Sequence, residues 1–453
     1  MEFDLNKLAN DYKEEALDLL KRLISCASVL DEYKPNSEAP FGKENKKALE
    51  LLLKQAQNDG FITKNVDNYA GHIEFGNGDE KVGILAHLDV VPVKKEEWET
   101  DPFELVIKGD KMFARGSLDD KGPLVASYIA MKILKDLGFK PNKRVRLIAG
   151  CDEESGSRCL ERYFEKEPKP EYGFSPDADF PLIYGEKAMM SYDILGDVSD
   201  DIIEEFICGD RYNIVPSVAK AKLKVDLKKK FEKYLKDNNV EGKVEGDYLV
   251  CYGKASHGAF PQNGINAATL IFKFLKQNSN SKLANFMDEY FNDDCYGKKL
   301  GYALYDEEMK HLTSNLAIVM INNGKLRVGV NCRVPLDSGL DLIKNKVTEA
   351  VKKYNYSFEV VSESNRHYVP KDSFLVKSLM AAYQEVTGDY ENEPITIGGG
   401  TYAREMENAV AFGALMPGRE DVCHIANEYM YLDDFMNAIK VYIVAIYNLS
   451  KWD

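Results

Sequence analysis

Apolar positions along this chain recur at two spacings, and the switch between them divides it into parts. Leu17, Leu19, Leu20, Leu23 and Ile24 fall at helical intervals and predict one amphipathic helix across Leu5–Ser28. A loop with Pro35, Asn36 and Pro40 leads into a second helix over about Lys43–Asn58, and Thr63–Gly76 reads as a hairpin. The apolar run Val82, Ile84, Leu85 and Ala86 predicts a strand buried on both faces, closing at His87-Leu88-Asp89. Leu124, Tyr128, Met131, Ile133 and Leu134 give the next helix its buried side, with Pro123 in its first turn and Gly138 as its stop. Val145–Ala149 is a further buried strand, ending at Cys151-Asp152-Glu153-Glu154, and a later turn carries Ser175-Pro176-Asp177. Strand, helix and strand in this order predict a parallel α/β sheet.

Near Glu186–Met190 the pattern changes to hairpins and helices. Ala317–Ile321 and Leu326–Val330 flank Asn322-Asn323-Gly324, a strong hairpin signal, while Leu227–Leu235 and Ile265–Gln277 predict helices. From about Phe374 the α/β style resumes, with Pro394-Ile395-Thr396-Ile397, a run of three glycines and a helix over Asp433–Leu449. The expected organisation is an outer α/β domain, residues 1–186 and 381–453, interrupted by an inserted α+β domain, residues 187–380.

Composition narrows the function. At 453 residues the chain is too long for one ordinary core, and 44% hydrophobic with 29% charged residues is a soluble globular balance. The net charge of −15 argues against nucleic-acid and anionic-membrane partners and favours attraction of cations. Met1–Glu14 is acidic and lacks the layout of a secretory signal, and no apolar run approaches the ~20 residues that cross a bilayer. Eight cysteines without a C-x-x-C pair predict free thiols and a cytoplasmic location.

The outer domain's chemistry lies in His87, Asp89, Asp119, Glu153, Glu154, Asp177 and His424, several of them just past predicted strand ends, where open parallel sheets bind ligands. His87 and Asp89, two apart, suit an imidazole that binds metal while a carboxylate fixes its other nitrogen. Two imidazoles and several carboxylates favour zinc, manganese or cobalt over a sulfur-ligated metal. Asp119, placed before a Gly-Pro helix start, is a sensible bridge for two ions ~3.5–4 Å apart. Glu153 and Glu154 must diverge, so one can bind metal while the other carries a proton from water to a leaving amine. Any one of these acids alone reads as a solvated turn residue; their joint occurrence carries the argument.

Ala86–Pro92, Arg115–Pro123, Cys151–Ser157 and Ser175–Pro181 (AHLDVVP, RGSLDDKGP, CDEESGS and SPDADFP) together resemble the M20 metallopeptidases, and within them the bacterial PepV-type dipeptidases. The resemblance implies a three-layer αβα catalytic domain with an inserted α+β lid, and a pair of divalent ions, zinc first with manganese or cobalt as alternatives. His87 and Asp177 would hold one ion and Glu154 and His424 the other, with Asp119 bridging. Glu153 would be the general base, Asp89 would orient His87, and the Asp119–Asp120 peptide would be cis. The implied reaction is hydrolysis of dipeptides with a free N-terminus by a metal-bridged hydroxide.

In the insert, Gly253–Gly258 (GKASHG) resembles the family segment whose histidine, here His257, stabilises an oxyanion, typically worth ~3–4 kcal/mol. Asp210–Pro216, with Asn213, and Asn331–Pro335, with Arg333, resemble the positions that grip the substrate backbone and its C-terminal carboxylate. Gly398, Gly399 and Gly400 match a weak dinucleotide pattern, but too little chain follows for that fold, and a backbone cradle for the carboxylate fits better. Cys151 and Cys423, beside proposed site residues, read as small buried apolar groups. The long insert implies a monomer, since relatives with shorter inserts dimerise to complete the site. An N-acyl-amino-acid amidohydrolase on the same scaffold, or a non-catalytic peptide- or metal-binding protein, are the alternatives.

Overall fold

The computed structural model describes residues 4–451; Met1–Phe3 and Trp452–Asp453, which the outer-domain assignment includes, lie outside the described residues. The chain divides into two compact units: Met1–Gly185 with Tyr368–Ile395 and Gly400–Asp453, and Glu186–His367 with Thr396–Gly399.

The first unit is built on a nine-stranded sheet that includes, side by side, Ile62–Val66, Ala70–Phe75, Arg144–Gly150, Lys81–His87, Tyr172–Ser175 and Ala409–Ala411. Lys81–His87 runs parallel to both its neighbours, and Tyr172–Ser175 runs parallel to Ala409–Ala411. The sheet is nevertheless mixed, not wholly parallel as the strand–helix–strand order predicts. Ile62–Val66 and Ala70–Phe75 are joined by a turn with Asp67 and Asn68 at φ +55° and +58°, too short for a parallel crossover, and the pair adds antiparallel onto Arg144–Gly150. Val82, Ile84, Leu85 and Ala86 are completely buried. Helices Lys121–Asp136 and Leu432–Lys451 pack on each other and on their strand, while Lys43–Asn58 and Arg158–Phe164 pack on Ala70–Phe75, giving the αβα arrangement.

The predicted first helix is two, Leu5–Asp11 and Lys13–Ile24, parted at Tyr12. Apolar spacing continues through the break and cannot report it; the Tyr12 hydroxyl donates to Asp136 Oδ2 at 2.8 Å. After the second helix, the buried Lys121 ammonium donates to Leu23 O (3.0 Å) and Cys26 O (2.8 Å), satisfying carbonyls that a helix end leaves open.

The second unit holds an eight-stranded antiparallel sheet. Its order is Gly242–Glu245, Tyr248–Tyr252, Val218–Leu223, Ile203–Cys208, Thr313–Asn322, Lys325–Val334, Ala188–Asp197 and Ser357–Ser364. Asn323 and Gly324, at φ +51° and +73°, make the tight turn between the Thr313 and Lys325 strands. Along Lys325–Val334, the residues Leu326, Val328, Val330, Cys332 and Val334 enter the core formed with the helical side chains of Phe231, Ile271, Phe286 and Ile343. The intervening Arg327, Asn331 and Arg333 point the other way. No helix among the described residues is long and apolar enough to cross a membrane.

Candidate metal centre

The register that pairs His87 with Gly150 brings two strand ends level, and Leu88 N donates to Gly150 O at 2.9 Å. The segments beyond them, carrying Asp89 and Glu153-Glu154, are then joined by one carboxylate. Asp89 Oδ1 accepts the Glu153 amide (3.0 Å) and Oδ2 the Glu154 amide (3.1 Å). His87 Nδ1 lies 3.0 Å from the Asp89 carbonyl and 3.5 Å from its carboxylate. Asp89 thus meets the imidazole through its backbone while its side chain holds the glutamate turn.

The other ring nitrogen, His87 Nε2, lies 3.0 Å from Asp119 Oδ1 and 3.4 Å from Asp177 Oδ2. On the far side of Asp119, His424 Nε2 lies 2.8 Å from Oδ2 and 3.0 Å from Glu154 Oε2. His87, Asp119 and Asp177 form one group able to hold an ion, and Asp119, Glu154 and His424 form a second that shares Asp119. Glu153 belongs to neither. All of these residues lie in the first unit.

Three buried atoms of this cluster, His87 Nε2, Asp119 Oδ1 and Glu154 Oε1, have no hydrogen-bond partner among the described residues, as expected of donors aimed at an ion. The electrostatics carry the same demand for positive charge. Burial disfavours a charged His87, yet Asp119, Asp177 and Asp89 raise its pKa well above the usual histidine range. Burial pushes up the carboxyls of Glu153, Glu154 (to about 7) and Asp177, and their acidic neighbours add to it. Asp119, between two imidazoles, is held low in spite of burial. Two imidazoles and three carboxylates of this kind fit a pair of borderline divalent ions.

Several residues that sequence reasoning passed over hold these groups in place. Asp120 Oδ2 accepts the His87 amide at 2.9 Å, a role not expected of it, while the Asp119–Asp120 peptide is cis as the family resemblance implies. Asp152, completely buried at its carboxylate, takes Arg158 Nε and Nη2 at 2.7 Å each, anchoring the turn that presents Glu153 and Glu154. Glu428, also buried, accepts the amides of Gly116 (3.0 Å), Leu118 (2.9 Å) and Asp119 (3.2 Å) on one oxygen and pairs with Arg115 on the other. Arg115 Nη2 in turn donates to Ile425 O at 3.2 Å, beside His424, which adopts φ +63°. One carboxylate thereby ties the Asp119 loop to the His424 loop. Its position four residues after His424 was the only hint in the sequence. Glu428→Ala is expected to destabilise the fold by about 3–5 kcal/mol, because it strands a buried guanidinium and three amides. Urea unfolding would register this as a lower midpoint, with Glu428→Gln losing less.

Of the remaining predicted residues, His257, Asn213, Arg333, Gly398 and Gly399 lie in the second unit and Gly400 in the first. Within the second unit, Ile214 and His257 form a β-bridge and Gly258 N donates to Asn213 O at 2.6 Å. A side chain at Gly258 would meet the Asn213 backbone at 3.0 Å, tighter than an ordinary contact, so this approach favours glycine. Arg333 Nη1 donates to Gly398 O at 2.7 Å. All eight cysteines are free; Cys151 is buried and Cys423 half-buried.

Residues 83–448 match the family described as Peptidase family M20/M25/M40. A protein of Staphylococcus saprophyticus named "Putative dipeptidase" is 39% identical over 462 residues, spanning 97% of this chain and 98% of its own. A relative of the same description from Staphylococcus haemolyticus is 38% identical, with 97% and 98% covered. Among solved structures, human carnosine dipeptidase 1 is similar in fold, with a TM-score of 0.63 at 16% identity over 99% of both chains. The dipeptidase Dug1p from Saccharomyces cerevisiae gives a TM-score of 0.61 at 17% identity over 100% of both.

Proposed function

Since the chain belongs to peptidase family M20/M25/M40 and is a metallopeptidase, we propose that it is a two-metal dipeptidase acting on dipeptides with a free amino terminus. The observation that carries this reading is Asp119, whose two oxygens each face a separate group of ligands. His87 and Asp177 would hold one ion and Glu154 and His424 the other, with Asp119 shared between the two groups. The ions, zinc or alternatively manganese or cobalt, would polarise the scissile carbonyl and lower the pKa of the attacking water to ~7.

The chain's own groups do the rest. Glu153, outside both ligand groups, takes a proton from the attacking water and returns it to the leaving amine; its raised pKa suits a group that must first accept that proton. Asp89 keeps His87 and the glutamate turn in mutual register. From the second unit we assign His257 to the oxyanion, Asn213 to the substrate backbone, and Arg333 with the Gly398–Gly400 segment to the C-terminal carboxylate. The free thiols support a reducing, cytoplasmic setting, and the long insert supports a monomer.

Initial rates on Ala-Ala and on its N-acetylated form test the substrate class. The free dipeptide is expected to be preferred by about 100-fold or more in kcat/KM. Chelation should abolish turnover, and zinc, manganese or cobalt should restore it. Preference for the acetylated form would replace this reading with an N-acyl-amino-acid amidohydrolase, and full turnover after exhaustive chelation would remove the metals from it.

A further inference from the structure

The face of the second unit's sheet turned away from its helices carries a buried polar row. Asn315 on the Thr313 strand pairs in register with Asn331 on the Lys325 strand, which pairs with Ser191 on the Ala188 strand. All three are buried, Asn315 to 1% exposure, a depth at which an amide is costly unless its hydrogen bonds are well placed. Their bonds diverge. Asn315 Nδ2 donates to Tyr212 O and to Ile214 O, both at 3.0 Å, and so grips the chain on either side of Asn213. Asn331 Nδ2 donates to Ser191 Oγ at 3.0 Å, while its Oδ1 accepts Arg333 Nε at 2.9 Å and turns the guanidinium so that Nη1 reaches Gly398 O.

The first grip reaches His257 through the backbone. Val215 N donates to Ser256 O (2.8 Å) and Gly258 N to Asn213 O (2.6 Å), making one ladder of the 213–215 and 256–258 segments. Side chains hold this ladder to the sheet. Tyr212 OH donates to Asp193 Oδ1 (2.6 Å), Arg327 bonds both Asp193 and Tyr212, and Thr313 Oγ1 donates to Ala259 O at 3.2 Å.

We propose that Asn315 and Asn331 are paired positioning residues: Asn315 fixes the Asn213–His257 ladder that meets the transition state, and Asn331 fixes the Arg333 guanidinium that meets the substrate carboxylate. The assignment rests on the dipeptidase reading for the roles of His257 and Arg333, and on the hydrogen bonds above for the positioning itself. A donor needed only as charge develops affects kcat, whereas a clamp on the ground-state carboxylate affects KM. Two facing residues on one rung therefore carry opposite kinetic signatures.

Asn315→Asp keeps the shape but replaces the donor with an acceptor facing two carbonyls, and is expected to lower kcat on Ala-Ala by about tenfold to a hundredfold, with a smaller rise in KM through the Asn213 contact to the substrate backbone. Asn331→Ala is expected to raise KM by about tenfold with little change in kcat. Amide exchange followed by mass spectrometry should speed up across residues 212–216 and 256–259 in Asn315→Asp and stay as in the parent in Asn331→Ala. If Asn315→Asp does not fold, Asn315→Ser, which removes the amide without adding charge, is read in the same way. Equal changes in kcat and KM from both variants, or unchanged exchange in the Asn315 variant, would overturn the proposal. A parent protein inactive on dipeptides would defeat the functional reading instead, and the exchange comparison would still decide the positioning.

Discussion

Glu153→Gln is expected to lower kcat by about 10²–10⁴-fold while the protein keeps its full complement of ions. The two halves of that outcome come from one geometric fact: Glu153 shares a turn with Glu154 yet stands outside both ligand groups. Its amide, not its carboxylate, is what Asp89 holds, so the amide side chain leaves that turn intact. Metal analysis of the dialysed variant, alongside steady-state kinetics, checks both halves. Near-parental turnover with ions bound would take the proton-transfer role away from Glu153; loss of ions would make it a ligand.

Asp119→Ala is expected to lose both ions together and to lower turnover on the order of 10⁴-fold or more, since no other carboxylate belongs to both groups. The affinity of the parent protein for its ions should also rise with pH. Burial opposes a charged ring at His424, yet Asp119 and Glu154 raise its pKa to about 11, and burial raises that of Glu154 to about 7. Both groups must give up protons to bind a cation, so binding releases protons and is favoured as pH rises from about 6 to 8. Competition with a chromogenic chelator across that range would show tighter binding at the higher pH. Retention of one full equivalent by the Asp119 variant would restrict the residue to a single ion.

What the sequence disclosed followed the range of the interactions involved. The Lys81–His87 strand, the Lys43–Asn58 helix and the Asn323-Gly324 turn depend on neighbours in the chain, and the pattern of apolar and turn residues reports such neighbours directly. The break at Tyr12 coincides with a distant hydroxyl contact to Asp136, and neither leaves a mark on local spacing. The mixed character of the sheet depends on where a hairpin docks, again a tertiary matter. In the metal cluster, residue types and strand-end positions were legible because the chemistry restricts them. The supporting carboxylates were not: Glu428 and Arg115 lie far apart in the sequence, and neither gains meaning until the fold joins them. Asp89 is intermediate, since its nearness to His87 was readable but its hold on the Glu153 and Glu154 amides was not.

The tie made by Glu428 also sets an order of events during synthesis. His87, Asp119, Glu154 and Asp177 leave the ribosome early, whereas His424 and the carboxylate that seats the Asp119 loop come only after the whole second unit has been translated. At about 5–20 residues per second, the nascent chain carries the His87–Asp119–Asp177 group complete, and the Asp119–Glu154 pair without His424, for many seconds. On the proposed assignment, filling of the Asp119–Glu154–His424 group would therefore be a late step of maturation, and it would report that the two distant stretches of the first unit have met.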